Sequence, residues 1–345
     1  MAKRQPEAIE KMFAAVRLGL WGTGVGDDTQ KESANGEIWL AAASEAVRQG
    51  VTGLFCEGLK LLPKSSGVPE TLLEKLSGEC EKLERRSALV ETVCTAHTAY
   101  FEKKGMHPVV QKGPAAARLY PKPLLRKSGD IDLYFPQGEF ETSLSLARAN
   151  GAEITLESDG SFCYRFHEVL IEHHPKLYDS ASQFEKIAPQ SPESHILILS
   201  THILKHALGP GIGLKQICDY AVATRVLLPE CDTALLAAEL RKAGLWKWIG
   251  MLEGFICRYL GLREEELLSV KCGIRIRNPQ PLLNIVLQGG EFGHDNPFRT
   301  LMASERRRKL NTALFFIRRL PFGLATAPRE WRHTVTALLK GNLDH

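Results

Sequence analysis

The chain has 345 residues, 44% hydrophobic and 24% charged, with a net charge of +4, a composition that excludes a disordered or collagen-like chain. No apolar run approaches the roughly 20 residues of a membrane span. The N-terminal stretch MAKRQPEAIEKMFAAVRLGLWG has neither a long apolar core nor a small-residue cleavage pattern, so a soluble cytoplasmic protein without a signal peptide is expected. Eight cysteines (Cys56, Cys80, Cys94, Cys163, Cys218, Cys231, Cys257 and Cys272) form no C-x-x-C pair. That spacing argues against a zinc ribbon and, in a chain this long, against a disulfide framework. Mostly buried, reduced thiols are expected.

Residues 1–104 read as a helical region. Within it, Pro69 to Tyr100 repeats apolar positions at helical spacing (Leu72, Leu73, Leu76, Cys80, Leu83) and ends in EKKG, whose Gly105 suits a C-cap. The period then changes. HPVVQKG predicts a short strand running into a glycine turn, PAAARLY a short helix opened by Pro114, and PKPLLRKSG a loop. DIDLYF predicts a strand closed by Pro136, and residues 137–149 a helix. A hairpin follows, AEITLES and SFCYRF around Asp159-Gly160, and then a strand, EVLIEHH. Residues 105–190 are therefore expected to form a small mixed α/β core.

From Ser191 the pattern is helical again, opening with a Ser cap and Pro192. SPESHILILSTHILKHAL, a GPGIG turn, LKQICDYAVATRVLL, TALLAAELRKAGL and WKWIGMLEGFICRYLGL predict a bundle over residues 191–345. GPGIG lacks the Gly-Lys-Ser/Thr of a phosphate-binding loop and reads as a turn. His202 and His206, one helical turn apart, have the spacing of two zinc ligands but no H-E-x-x-H glutamate or third ligand, so core or surface histidines are expected. Residues 299–332 hold nine Lys or Arg against Glu305 and Glu330, a local excess of seven that leaves the rest of the chain near −3. This basic region is a candidate surface for an RNA or protein acceptor.

The chemistry concentrates in RKSGDIDLYFP, residues 126–136. Strand side chains alternate faces, so Asp130 and Asp132 share one face while Ile131 and Leu133 take the other. Two like charges that close call for a neutralising cation, and Mg²⁺ prefers one or two carboxylates together with phosphate oxygens and water. Two-metal phosphoryl chemistry adds a further carboxylate. Glu172, in VLIEHHP, is the candidate, brought alongside by antiparallel pairing of the two strands.

The run VQKGPAAARLYPKPLLRKSGDIDLYFP, with VLIEHHP about 40 residues later, resembles the DNA polymerase β-like nucleotidyltransferase superfamily. More narrowly, it is similar to the bacterial family of uncharacterised nucleotidyltransferases, as are LGLWG and GIGLKQICDYA. The resemblance implies an α+β protein, a palm-like mixed-sheet catalytic domain flanked by N-terminal helices and a C-terminal helical bundle. It implies a transferase that moves NMP from an NTP donor, with ATP among the candidates, to an acceptor hydroxyl of a tRNA, a protein or a small molecule such as an aminoglycoside. Asp130, Asp132 and Glu172 would be catalytic and would hold Mg²⁺ or Mn²⁺. Lys112, Arg126 and Ser128, beside Gly129, would contact phosphates, Gly113 would let the backbone approach the triphosphate, and Lys215 with Asp219 would complete the nucleotide pocket. Pro114 stands where the superfamily has Gly or Ser, and it has no N–H to offer a phosphate. Two other readings remain: a glycosyltransferase whose Asp-x-Asp holds Mn²⁺, which needs a larger sheet before the motif, and a catalytically silent binding protein on the same scaffold, such as one half of a toxin and antitoxin pair.

Overall fold

A 33-residue helix, α4 (Glu70–Glu102), ties together two hydrophobic cores. The computed structural model describes residues 6–22, 35–136, 138–157, 159–290 and 317–343. The first half of α4 puts Leu72, Leu76 and Cys80 into a helical core; its second half puts Val90, Val93, Cys94 and Phe101 into the core beneath a sheet. Proline at 69 precedes its first turn and Gly105, at φ +75°, follows its last, as the EKKG signal predicts.

The helical core draws on both ends of the chain. From the N-terminal side come α1 (Pro6–Trp21), α2 (Gly36–Arg48) and α3 (Thr52–Lys60). From the C-terminal side come α7 (Pro192–Leu208), α8 (Leu214–Leu227), α9 (Thr233–Ala243), α10 (Trp246–Leu260), α11 (Leu268–Lys271) and α12 (Gln280–Gly289). Ser191 caps α7 by accepting a hydrogen bond from the Ser194 amide, and Pro192 opens it. Residues 317–326 form a further helix, α13, followed by α14 (Pro328–Leu343). Of the basic region 299–332, residues 299–316 lie outside the described residues. All eight cysteines are unbridged, and five of them are buried.

The sheet is the one expected around DIDLYF. Its strands are β1 (Val109–Val110), β2 (Asp130–Tyr134), β3 (Thr155–Leu156), β4 (Phe162–Phe166) and β5 (Val169–His174), in the order β1-β2-β5-β4-β3. α5 (Pro114–Ala117) follows β1, and α6 (Glu139–Ala149) follows β2. Among the described residues no strand precedes β1.

The pairing of β2 with β5 departs from expectation. It is parallel, with Asp132 opposite Glu172 and Tyr134 opposite His174; the antiparallel neighbour expected for β5 is β4. The reason is direction. α6 returns the chain, β3 and β4 add a hairpin, and β5 emerges running the same way as β2. The β4–β5 connection is a two-residue turn, His167-Glu168, with both residues at positive φ (45° and 64°), the backbone of a primed hairpin turn without its usual glycine.

One sheet face is apolar. Ile131, Leu133, Phe162, Tyr164, Val169 and Ile171 point into the core with α4 and α6. His173 joins them, fully buried, stacked on Phe135 at 4.8 Å. Its ring nitrogens lie 3.0 Å from Ser143 Oγ and 3.3 Å from Tyr164 Oη. Burial pushes it down to about 3, so it is a neutral, hydrogen-bonded core residue.

Candidate active site

The other face carries the acids. Strand alternation puts Asp130 and Asp132 of β2 on it, and the parallel register adds Glu172 and His174 of β5. One ligand atom from each of Asp132, Glu172 and His174 lies within 4.8 Å of the others. His174 Nε2 is 3.0 Å from Asp132 Oδ1 and 3.6 Å from Glu172 Oε2. Among the described residues this is the one such cluster of metal-ligating side chains. Asp130 shares the face but stands outside that radius, half-buried. Of the two histidines that follow Glu172 in the sequence, His174 shares its face, at the same spacing that set Asp130 beside Asp132, and His173 takes the core face.

Like charge is concentrated here. Burial first, then Asp132 and Asp130, push Glu172 up to about 7. Asp132 is only 4% exposed. Its burial would raise it, but Lys112 and His174 outweigh that and hold it far below the usual carboxylate range. Lys112 Nζ lies 3.0 Å from Asp132 Oδ1. Burial opposes its charge, and Asp132, Asp179 and Asp130 together restore it, so it stays a firm cation.

Lys112 is positioned by the chain around it. The Gln111 amide donates to the Asp132 carbonyl (3.0 Å), and its side chain donates to the carbonyls of Lys176 and Leu177 at 3.0 and 2.7 Å. Gly113 adopts φ +53°, ψ −109°, and a Cβ there would lie 3.0 Å from the Asp130 carbonyl oxygen, so glycine is required both sterically and conformationally. Pro114 is the first residue of α5, where a missing N–H costs the helix nothing. The departure from the superfamily thus has a local structural use.

The remaining candidates form a clasp between the sheet loop and α8. Arg126 Nε and Nη2 donate to Asp219 Oδ1 and Oδ2 at 3.0 and 2.6 Å, and Tyr120 Oη donates to Oδ1 at 2.8 Å. Arg126 and Asp219 are both buried. Ser128 is buried beside them, 3.4 Å from Arg126 Nη1, and the Gly129 carbonyl accepts from Arg86 at 3.4 Å. Lys215, one turn before Asp219, is buried, and its amide donates to the Gln49 carbonyl at 3.2 Å. Arg126 and Asp219 therefore spend their charge on each other.

A second network adjoins Lys112. Asp179 Oδ2 lies 2.9 Å from His202 Nδ1, and Lys205 Nζ donates to Asp179 Oδ1 at 2.7 Å; Lys112 Nζ is 3.4 Å from the same His202 nitrogen. His202 and His206 have ring centroids 4.5 Å apart, and burial lowers both. Among the described residues no third metal-ligating side chain is grouped with them. The GPGIG segment is a turn between α7 and α8, where the Leu214 amide donates to Gln49 Oε1 at 3.0 Å.

Comparison with known families gives one match. The family described as uncharacterised nucleotidyltransferase spans residues 35–252, more than half of the chain. The chain belongs to this family. The match begins at α2 and ends within α10, so it takes in the whole sheet, the acidic face and the Arg126–Asp219 clasp. No curated protein and no solved structure matches the chain. Membership of a nucleotidyltransferase family supports nucleotidyl transfer as the general activity, and no described helix is long and apolar enough to cross a membrane.

Proposed function

We propose that this nucleotidyltransferase moves a nucleoside monophosphate from an NTP to an acceptor hydroxyl, with a divalent cation held on the acidic face. The observation that supports it most is the in-register pair Asp132 and Glu172 on parallel neighbours, with Asp130 and His174 on the same face. The donor set suits a cation: the carboxylates crowd one another, and burial, with that crowding second, raises Glu172. Asp130, Asp132 and Glu172 would hold Mg²⁺ or Mn²⁺, with His174 a further nitrogen donor. When bound, the ion neutralises charge on the phosphate oxygens. The acceptor hydroxyl attacks the α-phosphorus, the bond to the bridging oxygen breaks, and pyrophosphate leaves; Glu172 is the base for the hydroxyl proton. Lys112 contacts phosphate as a fixed cation, and Gly113 lets the backbone come close. Lys215, Ser128 and Gly129 line the approach, while Arg126 and Asp219 position the loop that carries β2. Positioning and charge stabilisation then supply most of the catalysis.

The test uses NTPs labelled at the α-phosphate, incubated with tRNA, protein and aminoglycoside acceptors. Label transfer with pyrophosphate release, abolished in Glu172→Gln, is the expected outcome. Transfer that survives Glu172→Gln and Asp132→Asn together would refute the assignment.

A further inference from the structure

A second surface, on α9 and α10, is built for a different ligand. We infer that it binds single-stranded nucleic acid. The inference rests on charge and ring placement alone and stands independently of nucleotidyl transfer. α9 ends at Gly244 (φ +76°), and α10 begins at Trp246, which stays 37% exposed. Lys247 and Arg277 stand against this indole, and Arg241, Lys242, Arg275 and Arg329 belong to the segments that meet beside it, Arg241 donating to the Cys272 carbonyl at 2.7 Å. Lys247 Nζ lies 5.3 Å from the ring centroid and the Arg277 guanidinium 5.5 Å. Arg329 Nη1 donates to the Lys242 carbonyl at 2.6 Å, which brings the start of α14 to the same place.

Among the described residues the acids of α9, α10 and the first turn of α14 are buried. From Leu267 to Gly290 the sequence has no acidic residue. Glu239 is buried in α9, and Glu253 is fully buried in α10, where it accepts from Tyr220 Oη and from the amides of Leu268 and Ser269. Among the described residues none of the six cations is paired with a carboxylate. In a chain of net charge +4, six cations on adjoining segments without a carboxylate partner are a local field and not an average property.

The geometry is rigid. A Cβ at Gly250 would sit 2.2 Å from the Arg275 carbonyl oxygen, and one at Gly254 would sit 2.2 Å from that of Arg277. These two glycines, costly inside a helix, let the 275–277 segment lie directly on α10, where the Arg277 amide donates to the Gly250 carbonyl at 2.9 Å. That seats the Arg277 guanidinium against Trp246, and its buried Nε has no acceptor among the described residues. A flat ring framed by fixed cations is what stacked bases and a phosphate backbone require. A lipid surface takes a broader apolar face.

The experiment is fluorescence anisotropy of the full chain with labelled oligouridylate and oligothymidylate of about twelve nucleotides. Heparin and anionic phosphatidylglycerol vesicles serve as comparison ligands. Both oligonucleotides should bind at low salt, with affinity falling steeply as salt rises. The triple variant Lys242→Glu, Lys247→Glu, Arg275→Glu should lose about tenfold or more, with a shallower salt dependence. Trp246→Ala should weaken oligonucleotide binding about fivefold or more while leaving heparin unchanged, and Trp246→Phe should restore most of the loss. Unaltered circular dichroism confirms folding of each variant. Absence of oligonucleotide binding at low salt overturns the inference. So does binding indifferent to Trp246→Ala, or a preference for vesicles over oligonucleotides.

Discussion

Replacing Asp219 by Asn removes a charge from the clasp while keeping its shape. In the native fold Arg126 and Asp219 side chains are 6% and 3% exposed and bonded through two parallel N–H···O contacts. After Asp219→Asn the guanidinium stays buried without its counter-charge, and it cannot shed its proton. Breaking a buried pair from one side costs about 3–5 kcal/mol, and the weakened Tyr120 hydrogen bond adds to it. Against a typical stability of about 5–15 kcal/mol, that is a large fraction. Urea unfolding followed by circular dichroism should show a much lower midpoint. The double variant Arg126→Met, Asp219→Leu should recover most of the loss, because two apolar groups of similar volume replace the pair. A loss below about 1 kcal/mol for Asp219→Asn, or additive losses in the double variant, would refute the reasoning.

Gly113→Ala forces a Cβ against the Asp130 carbonyl in a backbone region that L-residues rarely adopt. It should cost about 1–3 kcal/mol in thermal or urea unfolding. Lys112→Met takes a competing cation off Asp132. It should strengthen Mn²⁺ binding in the absence of nucleotide while weakening NTP binding, both read by titration calorimetry. His195 is half-buried, its buried Nε2 lacks a partner among the described residues, and desolvation lowers it to about 4 from 6.5. Its folded state therefore takes up a proton later than the unfolded chain. Stability is fully present above pH 6.5 and is lost as pH falls towards 4, by up to about 3 kcal/mol. His195→Asn should flatten that part of the stability profile.

Much of this could be read from the chain. The alternation in DIDLYF placed β2 and its two faces, and apolar spacing with EKKG placed α4. Strand direction was also within reach: one returning helix and one hairpin between β2 and β5 make them parallel. What hid it was the His167-Glu168 turn, which carries none of the Gly or Asn that marks such turns. The same alternation that paired the aspartates would have put His174 with Glu172. Partners far apart in sequence left no local trace. Arg126 meets Asp219 93 positions away, and Asp179 meets His202 across 23, so a predicted phosphate ligand turned out to have an internal counter-ion. The helical core likewise joins α1–α3 to α7–α12, a pairing that no helical period encodes.

The central claim is that the acidic face binds a nucleotide through a divalent cation. Its most direct test is isothermal titration of the protein with each common NTP in Mg²⁺, in Mn²⁺ and in chelator, beside the double variant Asp130→Ala, Asp132→Ala. Binding of at least one NTP that requires the cation and disappears in the variant is the predicted result. NTP binding that is unaffected by chelator or by loss of both aspartates, or no binding under any of these conditions, would contradict it.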